Sequence, residues 1–113
     1  MRRYAEAEDA YRLAIAIMER LPNGKPDAAV SYINMAQLFG AMEEKTGEDI
    51  LEAYRLAKEL LLSEDNLHDG YYYFVLSKCA PAFMDIGEVK LAEEMERQVR
   101  VFREGVGVGK TIL

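Results

Sequence analysis

Ala10-Tyr11-Arg12-Leu13-Ala14 recurs letter for letter as Ala53-Tyr54-Arg55-Leu56-Ala57, 43 residues further along the chain. Self-similarity at a period of this length marks stacked structural units. Around each copy the apolar residues keep one rhythm: Ala7, Tyr11, Ala14, Met18 and Leu21 around the first, Ile50, Tyr54, Ala57 and Leu61 around the second. Residues three and four positions apart share one face of an α-helix, so both copies predict amphipathic helices. A diverged third copy follows 41 residues after the second, with Leu91, Met95 and Phe102 in place of Ile50, Tyr54 and Leu61, and Gln98 in place of Ala57.

A different helix fills each interval, one near residues 28–44 and one near 70–85. A shift of 43 carries Ile33 to Leu76, Asn34 to Ser77 and Ala36 to Cys79, apolar onto apolar and polar onto polar. Pro22-Asn23-Gly24-Lys25-Pro26 separates the first two helices, and Asp27 has the chemistry of an N-cap for the second. Thr46-Gly47 and Ile86-Gly87 mark turns inside hairpins. The pattern therefore predicts an all-α fold of antiparallel helical hairpins, with five helices near 3–21, 27–44, 48–63, 69–85 and 88–104 and no strand. It divides into a repeat domain over 1–104, made of a lone second-type helix (3–21) and hairpins 27–63 and 69–104, followed by a flexible glycine-rich tail over 105–113.

Composition narrows the function. The 113 residues suit one domain, and half are apolar. No apolar run approaches the roughly 20 residues that span a bilayer, and Met1-Arg2-Arg3 leads into Glu6, Glu8 and Asp9 rather than a signal-peptide core. A single cysteine, Cys79, makes no intrachain disulfide, so cytoplasm is the expected compartment. Twenty acidic against fourteen basic side chains give a net charge of −6, which repels phosphate backbones and anionic lipid. Neither nucleic acid nor membrane is an expected partner.

In its repeat units the chain resembles the tetratricopeptide repeat family, in the long-period form of kinesin light chains. Asn34-Met35-Ala36-Gln37-Leu38-Phe39 looks like the family's first-helix core. Ile50-x-x-x-Tyr54-x-x-Ala57 and Ala7-x-x-x-Tyr11-x-x-Ala14 look like its second-helix pattern of small, aromatic, small. The likeness covers about residues 4–104 and departs most in the third unit, where Pro81 stands inside a helix and Gln98 at a small-residue position. The chain is similar, too, to repeat proteins of Gram-positive gut bacteria whose role is unassigned. The resemblance implies a protein- or peptide-binding scaffold without enzymatic activity or cofactor. It places Ser31, Asn34 and Gln37 on a concave groove with Phe74, Ser77 and Lys78 beside them. Asn34 matches an asparagine that clamps peptides, Lys78 matches a basic clamp position approximately, and Phe74 stands where the companion cation belongs, so the clamp is incomplete.

Other chemistry is sparse. Gly105-Val106-Gly107-Val108-Gly109-Lys110-Thr111 has the look of a phosphate-binding loop, but Glu104 stands where the first glycine is needed. His68 and Cys79 are single residues that nothing in the sequence brings together as a nucleophile and its base. One cysteine and one histidine do not make a zinc site, and Glu93, Glu94 and Glu96 spread around a solvated helix face. Tyr71-Tyr72-Tyr73-Phe74 points four rings in four directions, so at least one faces outward. Pro81 predicts a bend near residues 77–81.

The first and second copies carry a further apolar stripe, Ala10, Leu13, Ile17 and Ala53, Leu56, Leu60, which becomes Glu94, Arg97 and Val101 in the last. A polar cap suits the end of an array. On that reading this stripe faces the next unit, and Ala7, Tyr11, Ala14, Met18 and Leu21 face a hairpin partner that is missing. The expectation is either a fragment of a longer array or a homo-oligomer paired through the Tyr11 stripe. The alternative to a binding scaffold is thus a structural or oligomerising segment.

Overall fold

The computed structural model describes the backbone of residues 2–112 and the side chains of residues 3–105. Five helices account for the described elements: α1 (Arg2–Arg20), α2 (Lys25–Phe39), α3 (Gly47–Leu61), α4 (Gly70–Asp85) and α5 (Val89–Ile112). The all-α class and the number of helices agree with the sequence pattern. The chain forms two compact units, divided after Leu67. The first holds α1, α2 and α3, with α2 packed against both of the others; the second is the α4–α5 hairpin.

In the first unit α2 is buried over most of its circumference, through Ala28, Ala29, Ile33, Met35, Ala36 and Phe39. The alanines keep the helix thin, so neighbours can approach on two sides, and only a narrow strip that includes Asn34 and Gln37 stays exposed. The turn from α1 into α2 is tighter than the prolines alone imply. Asn23 takes a left-handed conformation (φ 62°), and the Gly24 N–H donates to the Leu21 carbonyl at 3.1 Å. A Cβ on Gly24 would lie 1.9 Å from the Met18 carbonyl oxygen, so only glycine fits. Gly24 is also the N-cap of α2, with Pro26 in the first turn; Asp27 is the third residue of the helix rather than its cap.

α2 stops at Phe39, five residues short of the expected end. The turn hydrogen bonds Ala41 N to Leu38 O and Met42 N to Phe39 O replace the helical ladder, and Met42 tucks into the core. α3 then starts on a capping box: Thr46 Oγ1 accepts from the Asp49 N–H at 3.3 Å, and the Asp49 carboxylate accepts from the Thr46 N–H at 2.8 Å. At the other end of α3, buried Asn66 donates to the carbonyls of Leu60 and Leu61, satisfying groups that a helix terminus leaves open. Lys25, at the start of α2, reaches Ser63 Oγ and Asp65 Oδ1, each at 2.8 Å, tying one end of the α2–α3 hairpin.

In the second unit Asp69 caps α4 by accepting from the Tyr72 N–H at 2.9 Å. Helix α4 continues through Pro81 to Asp85. It ends in a Schellman turn: Gly87 is left-handed (φ 86°), the Glu88 N–H donates to Phe83 O and the Gly87 N–H to Met84 O. Ile86-Gly87 is therefore the hairpin turn that the sequence predicts. Val75, Leu76 and Phe83 from α4 meet α5 side chains such as Ala92, Met95 and Val99 in the core of this unit. The backbone of α5 remains helical to Ile112, across the stretch expected to leave the helix at residue 105. Extending an existing helix needs no new nucleus, which offsets part of the cost of its glycines. The side chains of 106–113, including those of the phosphate-loop look-alike, lie outside the described residues.

Candidate functional site

The expected groove residues separate by burial. Ser31 is buried (7% exposed) and its hydroxyl lies 3.8 Å from the Met18 sulfur, so it belongs to the α1–α2 packing and not to a groove. Ser31 lies about 120° around α2 from Gln37 and about 60° from Asn34, far enough to cross from the exposed strip into the α1 contact, which the resemblance does not reveal. Asn34 and Gln37 are exposed, one helical step apart on the same face of α2.

In the second unit, Phe74 and Lys78 come together on the surface of α4. Phe74 is 49% exposed, and the Lys78 ammonium lies 5.1 Å from its ring centroid, a cation–π contact. Lys78 forms no ion pair with a described carboxylate. Tyr71 extends the same face by one turn, with its ring 6.2 Å from that of Phe74 and 50% exposed. Ser77 points elsewhere: its hydroxyl donates to the Phe74 carbonyl at 2.6 Å, and the side chain is half-buried. Of the four consecutive rings, then, Tyr71 and Phe74 face outward. Tyr72 is buried and stacks on His68 (4.6 Å between centroids), while Tyr73 stacks on Phe102 of α5 at 4.4 Å. Burial raises the pKa of the Tyr72 phenol, and neighbouring Tyr73 adds to the shift.

His68 and Cys79 are not brought together. Cys79 lies two and a half turns into α4 and is 3% exposed; burial pushes its thiol up to about 12, against a small opposing pull from Lys78. Such a thiol holds almost no thiolate near neutrality, so it packs rather than attacks.

A cleft of about 450 Å³ opens between α4 and α5, lined by Ser77, Pro81 and Val99 with Arg100 and Arg103 at its side and Glu96 and Glu104 nearby. The sequence reading did not single out these residues. The only available signal was the pair of arginines three apart beside an apolar position, which is common on any solvated helix. The two carboxylates offset the two guanidinium groups, so the cleft has no dominant sign. A smaller groove in the first unit runs between Leu56 and Leu60 of α3, Tyr32 of α2 and Glu19 of α1.

The self-association stripe is placed opposite to expectation. Ala7, Tyr11, Ala14 and Met18 turn toward α2 and are part-covered, together with buried Ile15; only Leu21, at the helix end, is exposed. Leu13 (63%) and Ile17 (52%) are the exposed apolar side chains, with Ala10 beside them. The two stripes lie within 100° of each other on one helix, so the polarity of α5 does not say which one a tight turn will press against α2.

No family model, curated protein or solved structure matches this chain. Among the described residues no helix is long and apolar enough to cross a membrane.

Proposed function

We propose that this chain is a non-enzymatic, cytoplasmic scaffold of the tetratricopeptide type that holds a peptide segment of another protein. The observation that carries this reading is the exposed face of α4, where Tyr71, Phe74 and Lys78 stand at positions i, i+3 and i+7. Rigid rings give large contact area at small entropic cost, and an unpaired ammonium over a ring suits a peptide with an acidic side chain next to an apolar one. A cysteine held neutral and a histidine stacked on a tyrosine supply no nucleophile, which favours binding over catalysis.

Selection of a displayed random-peptide library on the immobilised protein tests this. Enriched peptides should share acidic and apolar positions, and in calorimetric titration should bind at least about tenfold more weakly to a Phe74→Ala, Lys78→Ala variant. Absence of enrichment, or peptides that bind parent and variant alike, refutes the reading.

A further inference from the structure

The exposed stripe of α1 is an apolar feature that the binding proposal leaves unused. Leu13, Ile17 and Leu21 are each more than half exposed, at 63, 52 and 56%, and Ala10 continues the line. The matching residues of α3 are covered: Ala53 is buried, and Leu56 and Leu60 are half-buried beside Tyr32 of α2. The same residue types thus work as contact surface elsewhere in this unit, whereas on α1 they meet solvent.

Charge says what fits there. Glu6 and Arg20 lie on this same face, at either end of the stripe, roughly 21 Å apart at 1.5 Å per residue. Both are exposed, and neither is ion-paired with a described residue. Arg3 and Asp9 beside the stripe are likewise exposed and form no ion pair with a described residue, whereas Arg12, on the flank of the helix, is held by Glu8 at 2.7 Å. An antiparallel pairing of two α1 helices about a two-fold axis beside Leu13 sets Glu6 of each copy opposite Arg20 of the other, because each lies seven residues from the axis. It also lays Ile17 near the small Ala10 of the second copy and Leu13 against its own equivalent. A parallel pairing would instead face Glu6 with Glu6 and Arg20 with Arg20.

We infer that the Ala10–Leu13–Ile17 face of α1 is a self-association surface, occupied by α1 of a second copy in antiparallel orientation and keyed by two Glu6–Arg20 contacts. Roughly 300–400 Å² of surface per copy is available, below the about 800 Å² per partner of a standard stable interface, so the pair is weak and forms at high protein concentration. This inference uses α1 alone and is independent of the α4 peptide face.

Sedimentation equilibrium of the full chain tests it, across about 10–500 μM, a range suited to a weak interface. The average mass should rise from 12.8 kDa toward twice that value. Leu13→Glu, at a residue outside the core, should weaken association at least about tenfold while the far-ultraviolet spectrum stays helical. Glu6→Arg and Arg20→Glu should each weaken it about fivefold alone, and an equimolar mixture of the two variants should restore it, because only the mixed pair brings opposite charges together at both ends. A parent that stays monomeric throughout overturns the inference, as does association that Leu13→Glu leaves unchanged. A mixture no stronger than its components overturns the antiparallel register.

Discussion

Tyr11 and Tyr54 stand at the same position of the repeated pentapeptide, and the structure makes them unequal. Tyr54 is 6% exposed, whereas Tyr11 is only part-covered. Truncating Tyr54 to alanine removes about 150 Å² of covered ring and methylene surface, worth about 4 kcal/mol at roughly 25 cal/mol per Å². The compactness of the unfolded chain lowers this, and measured aromatic truncations point to the same region, so about 3 kcal/mol is expected. The same change at Tyr11 forfeits about half as much covered surface and should cost about 1.5 kcal/mol. For a domain of this size each kcal/mol moves the thermal midpoint by about 4–8 °C, giving a fall of about 12–24 °C for Tyr54→Ala and about half that for Tyr11→Ala. Thermal and urea unfolding followed by circular dichroism read both numbers, and coincident transitions establish that a single midpoint is meaningful. Equal losses for the two variants, or a larger loss at Tyr11, would refute the assignment of burial from which the difference is derived.

Three further outcomes follow from local chemistry. Cys79, buried and held neutral by a pKa pushed up to about 12, should resist alkylation at pH 8 in the folded protein and react fully in denaturant; rapid labelling of the native chain would contradict its burial. Gly24→Ala should cost about 2–4 kcal/mol, because a Cβ 1.9 Å from the Met18 carbonyl forces backbone to move, and an unchanged melting curve would show that the α1–α2 turn differs. Burial pushes the Glu8 carboxyl upward, but hydrogen bonds from Arg12 and Lys45 outweigh it and hold its pKa below the ordinary 4.5. A depressed carboxylate contributes stability that is present above its ordinary pKa and lost as pH falls through the folded value. Glu8→Gln should therefore lose up to about 1 kcal/mol at pH 7, with the gap closing in acid as pH falls below the ordinary 4.5 and through the depressed folded value, and a gap that widens in acid would overturn the sign.

Lys45 gives this ion pair a structural purpose. Its ammonium lies 3.3 Å from Glu8 of α1 and 4.6 Å from the Phe39 ring centroid at the end of α2, so one side chain of the α2–α3 loop joins the first two helices of the unit. Nothing in sequence spacing marks that contact, because Glu8 and Lys45 are 37 residues apart. The pairing within α1 is different in kind, since Arg12 follows Glu8 by one helical turn and is legible from the sequence.

What the amino-acid sequence determined by itself is local and periodic. The repeated pentapeptide and its flanking apolar residues specify helices, and Thr46, Asp69 and Gly87 mark their ends, since capping and helical phase depend on residues within a turn or two of one another. The same reasoning requires an outward ring in the run Tyr71 to Phe74, but it does not choose which. Tertiary structure made that choice, exposing Tyr71 and Phe74 while burying Tyr72 and stacking Tyr73 on Phe102. It likewise buried Ser31 against Met18, ended α2 at Phe39, and turned the Tyr11 stripe of α1 inward, leaving Leu13 and Ile17 to solvent. Each of these is a question of rotation about a helix axis. An amphipathic pattern fixes such a rotation only to within the width of its apolar face, and α1 is apolar across two adjacent stripes; the contact with α2, set by a turn so tight that Gly24 admits no side chain, decides between them.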